Sequence, residues 1–130
     1  MADAAYLVDG GIALIVNAVD TADLYKYVAW GIGVTGAAAA DTAMETASAP
    51  TNATAGTGTL AKTTTTTTDD SLVVTHTITA GGSLAITEVG VFNQATLSGA
   101  TCFFHGTFSA INVTDSDSVA FTLTTVFNQA

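Results

Sequence analysis

The segment Leu84–Phe92 reads L-A-I-T-E-V-G-V-F, an apolar run of strand length that contains one carboxylate and one glycine. Its β-branched residues favour extended backbone, whereas a strand interior has little use for a charge or for a glycine. Strict alternation places Glu88 on the same face as Ile86 and Phe92, where it would be buried. The pattern therefore indicates that a specific feature of the fold requires Glu88 and Gly90.

A buried carboxylate must find partners or lose its charge. We interpret Glu88 as structural, either bonded to backbone amides of a neighbouring loop or paired with one of the only two basic residues, Lys26 and Lys62. Gly90 permits a bulge that would redirect the strand. The alternative is a bulged edge strand in which Glu88 faces water.

The second half of the chain consists of short strand-like segments. Residues 60–68 include six consecutive threonines, whose branched side chains favour extended backbone, with low-complexity disorder as the alternative. Gly81 and Gly82 predict a tight connection, so residues 72–92 are expected to form a hairpin. Alternation of apolar and polar residues predicts strands over residues 72–79, 84–92, 101–108 and 119–127.

The first half begins with helical spacing. Ile12, Ile15, Val16 and Val19 recur at i, i+3, i+4 and i+7, and Asp9 is the expected cap. Residues 24–34 then alternate as a strand. They end in Trp30-Gly31-Ile32-Gly33, which lacks the lysine of a P-loop and the glycine spacing of a dinucleotide fold. Those two glycines are interpreted as allowing a bulge or a close backbone approach.

Residues 36–50 favour a short helix or an ordered loop, and residues 51–59 a flexible loop or arm. We predict one domain over residues 1–130, mainly β: an antiparallel β-sandwich or small barrel of about six strands, with one short N-terminal helix and a long loop. Residues 1–8 and 51–68 are expected to order on assembly, because segments poor in large apolar side chains do not offset their ordering entropy alone.

The composition limits the partners. The chain is 48% hydrophobic but only 10% charged, against about 25% charged in a typical domain. Thr and Ala replace the missing charges, and such a surface is less costly to desolvate in an assembly. The net charge of −9 argues against binding nucleic acid or an anionic membrane. The apolar residues 10–19 are too few to span a bilayer, and no basic residue precedes them as in a signal peptide.

No catalytic, cofactor or metal site is predicted. The soft ligands are His76, His105 and Cys102, and none has the spacing of a zinc site. Cys102 and His105 are expected on opposite faces of one strand, as a buried thiol and an ordinary histidine. No G-x-S-x-G motif is present. The two carboxylates in residues 115–117 are interpreted as a solvated turn, since the glycine and glutamate of a calcium loop are missing.

Several segments in order match one known family. They are G-I-A-L-I-V-N at residues 11–17, Y-K-Y-V-A-W-G-I-G at 25–33, D-T-A-M-E at 41–45, I-T-E-V-G-V-F at 86–92, and an F-x-x-I-N-V segment with a D-S turn and a Thr-rich strand at 108–125. This order resembles small structural proteins of tailed bacteriophages, of the capsid decoration (cement) type. Residues 52–68 are more Thr-rich than that family leads us to expect.

The resemblance implies a non-enzymatic subunit on the outer surface of a virion capsid, made in the host cytoplasm. Its implied partners are the major capsid protein and itself, as a homotrimer, and its implied role is to bridge neighbouring capsid subunits. The alternative is a tail, neck or tail-fibre-attachment protein. A carbohydrate-binding sandwich ranks last, because Trp30, the one tryptophan, is expected to be buried.

Overall fold

The computed structural model describes residues 5–47 and 55–127. Two antiparallel sheets are present, with strand orders β2-β1-β5-β6 and β3-β4-β7. The prediction of a mainly β, two-sheet fold with an N-terminal helix is confirmed, and over the described residues the sheets do not close into a barrel. Within the described residues there are seven strands, in agreement with the expected number of about six. The elements are α1 (Asp9–Ala22), β1 (Tyr27–Gly31), β2 (Gly56–Thr57), β3 (Thr59–Thr63), β4 (Ser71–Thr79), β5 (Leu84–Phe92), β6 (Cys102–Val113) and β7 (Ser118–Val126).

The main core lies between the two sheets. Trp30 is fully buried there, as expected. Its neighbours are alternate apolar residues from the inward faces of both sheets, so the burial of each strand depends on the opposite layer. The members of this inter-sheet core are Val28, Trp30, Val74, Ile78, Ala80, Ile86, Val89, Val91, Val113 and Phe121.

A second apolar cluster covers the outer face of the four-stranded sheet. It contains Ala29, Met44, Ala55 and Phe92, with Tyr27, Leu97 and Cys102 packed around it. The central strand β5 is therefore buried on both faces, which explains why its sequence is largely apolar and does not alternate cleanly.

Helix α1 packs Ile12 and Val16 against Leu72. Asp9 is not its cap, contrary to expectation: the helix begins at Asp9, and Val8 precedes it without a side-chain cap. Asp9 instead lies in the first turn, where a negative charge interacts favourably with the helix dipole. Lys62 on β3 donates to Asn17 Oδ1 at 3.2 Å and so links the helix to the three-stranded sheet.

The predicted hairpin over residues 72–92 is wrong. Strands β4 and β5 lie in different sheets, and the segment at Gly81 and Gly82 crosses from one layer to the other. The crossing is held by Ala80, whose N–H donates to Asp117 O at 2.7 Å and whose carbonyl accepts from Ser116 N–H at 2.8 Å. The physical reason is that β5 needs strands on both sides, and β1 and β6 occupy those positions.

The threonine run is only partly extended. Strand β3 ends at Thr63, and the chain then turns around the buried Asp70. The Asp70 carboxylate accepts N–H bonds from three consecutive residues, Thr65, Thr66 and Thr67, at 2.8–2.9 Å. Three successive amides cannot point at one carboxylate from a straight strand, so the expectation of extended backbone over residues 60–68 is wrong beyond Thr63.

Part of the segment expected to be an arm is paired strand. Strand β2 joins β1, and β3 joins β4, so residues 56–57 and 59–63 belong to the sheets. Residues 1–4 and 51–54 of the two expected arms lie outside the described residues, as does the end of the chain at 128–130. Ordering of the remaining arm residues on assembly stays a prediction.

Candidate functional site

A loop over residues 32–46, called here the cover loop, leaves the end of β1 and returns beside it. Ile32 N–H donates to Thr46 O at 2.9 Å, and Gly31 forms a bridge with Ala47. Of the two structures expected for residues 36–50, the described part adopts the ordered loop, because no helix occurs between residues 32 and 47. Met44 from this loop packs over the outer face of the four-stranded sheet.

Glu88 lies beneath the cover loop and is fully buried. Its Oε1 accepts N–H bonds from Gly33 at 3.1 Å and from Thr46 at 2.8 Å. Its Oε2 accepts from Glu45 N–H at 3.0 Å. One carboxylate therefore holds both legs of the loop, since Gly33 lies on the outgoing leg and Glu45 and Thr46 on the returning leg.

A histidine extends this arrangement to the middle of the loop. His105 on β6 contacts Glu88 Oε2 through Nε2 at 2.8 Å and Asp41 Oδ2 through Nδ1 at 2.6 Å. Asp41 also accepts Ala38 N–H at 2.8 Å. We call Glu88, His105 and Asp41 the carboxylate–imidazole network. It ties the cover loop to two adjacent strands of one sheet.

The charges in the network support one another. Burial alone would raise the pKa of Glu88, but hydrogen bonds from Thr46, His105, Glu45 and Gly33 outweigh it and hold that pKa below 4.5. Burial alone would lower the pKa of His105, but its bonds to Asp41 and Glu88 raise the pKa above 6.5. The Ala38 amide, and then His105, lower the pKa of Asp41. An imidazolium between two carboxylates is thus the favoured state near pH 6.

Two of the glycines singled out in the sequence, Gly31 and Gly33, lie against Glu88, and Gly90 lies beside Met44 of the cover loop. A Cβ at Gly31 would lie against Glu88 Oε1 and Thr46 O, and one at Gly33 would lie 2.7 Å from Glu88 Oε1. A Cβ at Gly90 would lie 2.8 Å from the Phe92 ring and 3.0 Å from Met44 Cγ. The interpretation of Gly31 and Gly33 as allowing a close approach agrees with this geometry, and Gly90 makes room for the loop.

The expected face of Glu88 is partly wrong. Ile86 packs in the inter-sheet core, whereas Phe92 packs in the outer cluster and Glu88 bonds to the cover loop. The pairing of β5 with β6 shifts register between Ile86 and Glu88, and this irregularity changes the phase of the alternation. Thr87 also turns toward the loop and donates to Gly33 O. The irregularity that sets the face of Glu88 therefore lies before Glu88 and not at Gly90.

Neither lysine is the partner of Glu88. Lys26 forms an ion pair with Asp23 at 2.6 Å, and Lys62 lies 3.3 Å from Asp69. Of the two structural arrangements expected for Glu88, the one present is the bonding to amides of a neighbouring loop, and the alternative of an exposed edge strand is wrong because β5 is a central strand.

Cys102 and His105 lie on the same face, not on opposite faces as expected. The pairing shifts between Val91 and Phe92, so that Phe103 is an extra residue on β6 and the alternation is reset. Both side chains line a shallow depression of about 400 Å³ together with Ala38 and Asp41. Burial raises the pKa of the Cys102 thiol, and its Sγ donates to Phe104 O.

The arrangement fixes structure better than it supports reaction chemistry. Both ring nitrogens of His105 are engaged by carboxylates, so neither is available to take a proton from a nucleophile. Within residues 5–47 and 55–127, no group of three His, Cys, Asp or Glu side chains is placed to hold a metal ion. Asp117 caps its own turn by accepting Thr114 N–H at 2.8 Å, consistent with the turn interpretation.

Sequence reasoning missed His105 and Asp41 as partners of Glu88. His105 lies 17 residues from Glu88 and 64 residues from Asp41 along the chain, and only the fold brings the three side chains together. The one available signal was the D-T-A-M-E segment, whose two acids, Asp41 and Glu45, both accept amides of the cover loop.

Comparison of the chain with protein-family models, with curated proteins and with solved structures finds no match. In the part of the chain that the structure describes, no helix has the length and apolar character needed to cross a bilayer.

Proposed function

We propose that this chain is a non-enzymatic virion structural protein of the capsid decoration type. In this role it binds the outer surface of a bacteriophage head, bridges neighbouring major capsid proteins and stabilises the shell. The proposal starts from the resemblance of the ordered segments. The geometry supports it through the way the chain distributes its apolar side chains.

The observation that carries the proposal is an uncovered apolar surface at the N-terminal helix. Tyr6 and Val8 precede α1 and are 76% and 66% exposed, and Leu14 on the helix is 73% exposed. Leu7 and Ile15 beside them are each 43% exposed. A monomer gains nothing by placing five large apolar side chains in water over so short a stretch, whereas a subunit that docks on another protein buries them.

The mechanism is burial of interface area. A decoration subunit stabilises a shell because it binds the assembled form and not the separated subunits, so its binding free energy adds to the barrier to rupture.

A rebinding experiment tests the proposal. Heads that lack the protein are mixed with the wild-type chain, and both saturation binding and the temperature of genome release are measured. Wild-type protein is expected to bind in hundreds of copies and to raise that temperature. Leu14→Asp is expected to bind at least about tenfold more weakly, because it places a charge in an apolar interface. Ser109→Asp adds the same charge at an exposed position on β6 and serves as the control.

Binding of wild-type protein to tails alone would support the alternative, a tail, neck or fibre-attachment protein. Failure to bind either heads or tails would contradict both. Equal loss of binding in both variants would show that added charge, and not the surface at α1, is responsible.

A further inference from the structure

Strand β7 is the edge strand of this fold that lacks protection. The edges of the two sheets are formed by β2, β6, β3 and β7. Strand β2 has only two residues, β3 carries Lys62, and β6 is interrupted by two register shifts. These are devices that prevent an edge from pairing with another chain.

Strand β7 has none of these devices. Its nine residues, S-V-A-F-T-L-T-T-V, include no charge, no proline and no glycine. It pairs with β4 through nine consecutive residue pairs without a register shift. Within the described residues no strand lies on its other side. A regular strand of this length leaves alternate N–H and C=O groups directed away from the sheet, where they require a partner.

The outer face of the same sheet is also uncharged. Thr75 and Thr77 on β4 and Thr122 and Thr124 on β7 are all exposed. Thr75 pairs directly with Thr122, so the two strands form rows of small side chains. A sheet extended past β7 would continue this face without meeting a charged group.

We propose that β7 pairs with β7 of a second copy of this chain, antiparallel across a two-fold axis at Thr122. The two three-stranded sheets then form one six-stranded sheet. This inference does not rest on the proposed function, because the contact forms between free subunits.

The side chains of β7 suit this register. On the outer face Thr122 of one copy meets Thr122 of the other, and Ala120 of one copy meets Thr124 of the other. On the inner face Phe121 of one copy meets Leu123 of the other. Phe121 belongs to the inter-sheet core and Leu123 packs against it, so the contact extends that core.

Charge favours the antiparallel pairing of two copies over the parallel pairing. The chain carries a net charge of −9, so most contacts between two copies would oppose like charges. In the register centred on Thr122, Asp117 of one copy lies opposite Phe127 of the other. A parallel pairing would instead place Asp117 beside its own equivalent. The charge-free strand is thus a place where two acidic copies can meet.

Sedimentation of the full chain tests the contact. Over about 1–100 μM, the range in which weak contacts between subunits form, wild-type protein should change from monomer to an even-numbered species. Thr122→Lys should weaken this association by about tenfold or more, because two ammonium groups meet at the axis. Thr77→Lys makes the same change on the same face one strand away from the edge, and it should associate as wild type.

A crosslinking arm covers the case in which Thr122→Lys fails to fold. In a Cys102→Ser background, Thr122→Cys should form a disulfide-linked dimer under mild oxidation, since directly opposed Cβ atoms lie about 4.5–5.5 Å apart. Thr77→Cys should not crosslink. Monomers across the whole concentration range, or equal crosslinking of the two cysteine variants, would overturn the proposal.

Discussion

Glu88→Gln is the substitution that probes the carboxylate–imidazole network most cleanly, because it preserves shape and removes one charge. The carboxylate accepts three backbone amides, from Gly33, Glu45 and Thr46, and contacts His105. A glutamine side chain has one acceptor oxygen and one NH₂ group, so it cannot accept all four bonds.

The least unfavourable placement puts the glutamine oxygen at the Oε1 position, facing Gly33 and Thr46. The NH₂ group then faces His105 Nε2, which can accept a hydrogen bond if the ring proton is on Nδ1 and is donated to Asp41. The same NH₂ group also faces Glu45 N–H, and this amide is left without an acceptor. One buried unpaired amide costs about 1–3 kcal/mol, and two bonds lose their charge assistance at about 0.5–1 kcal/mol each. The expected destabilisation is therefore about 2–5 kcal/mol, a large part of the roughly 5–15 kcal/mol that holds a typical domain.

Chemical denaturation at pH 6 measures this effect as a shift in the unfolding midpoint at constant slope. Glu45→Gln is the matched control, because Glu45 is an exposed carboxylate of the same loop that accepts a single amide, from Thr35. It should cost less than about 1 kcal/mol, since its amide oxygen still accepts that bond. If Glu88→Gln unfolds at the same denaturant concentration as Glu45→Gln, the reasoning about the network is refuted.

Further predictions concern acid–base balance, packing and order. The network should contribute most to stability between about pH 4.5 and 6.5. Because the pKa of Glu88 is lowered in the folded state, its contribution is lost as the pH falls through that folded-state pKa. Because the pKa of His105 is raised in the folded state, its contribution is lost as the pH rises above 6.5. A His105→Asn variant measured by thermal unfolding should lose the decline on the alkaline side, and an unchanged profile would argue against the imidazolium. Gly31→Ala should destabilise by about 1–3 kcal/mol, because its Cβ would press on Glu88 and Thr46, whereas Gly36→Ala, which meets nothing within 4 Å, should be near neutral. Limited proteolysis should cut residues 1–8 and 51–54 in free protein but not in assembled particles, and equal protection in both would contradict ordering on assembly.

The sequence predicts local features well. Strands β4, β5 and β7 lie within one or two residues of their expected ends, because alternation is a property of neighbouring residues. Pairing is not local. Gly81 and Gly82 fit a hairpin turn as well as a crossing between layers, and only the competition of β1 and β6 for the sides of β5 decides between them.

The candidate site shows the same difference between local features, which the sequence predicts, and contacts that depend on strand pairing, which it does not. Glu88 stood out because a charge in an apolar strand is unusual, and the two glycines near Trp30 stood out because they interrupt a strand. His105 gave no such signal, since a histidine on a half-exposed strand is ordinary. Its role depends on two register irregularities in the pairing of β5 with β6. The first of them, between Ile86 and Glu88, also explains why Glu88 lies on a different face from Ile86.

The measurement that tests the proposed function most directly is a cryo-electron microscopy reconstruction of the bacteriophage particle on which we propose that this chain is located. We expect a two-sheet subunit in hundreds of copies on the outer surface of the head, with α1 and the residues around Leu14 against the capsid. Six to a few dozen copies at a single vertex would instead support the tail or neck alternative. Absence of the chain from the particle would contradict the proposed function altogether.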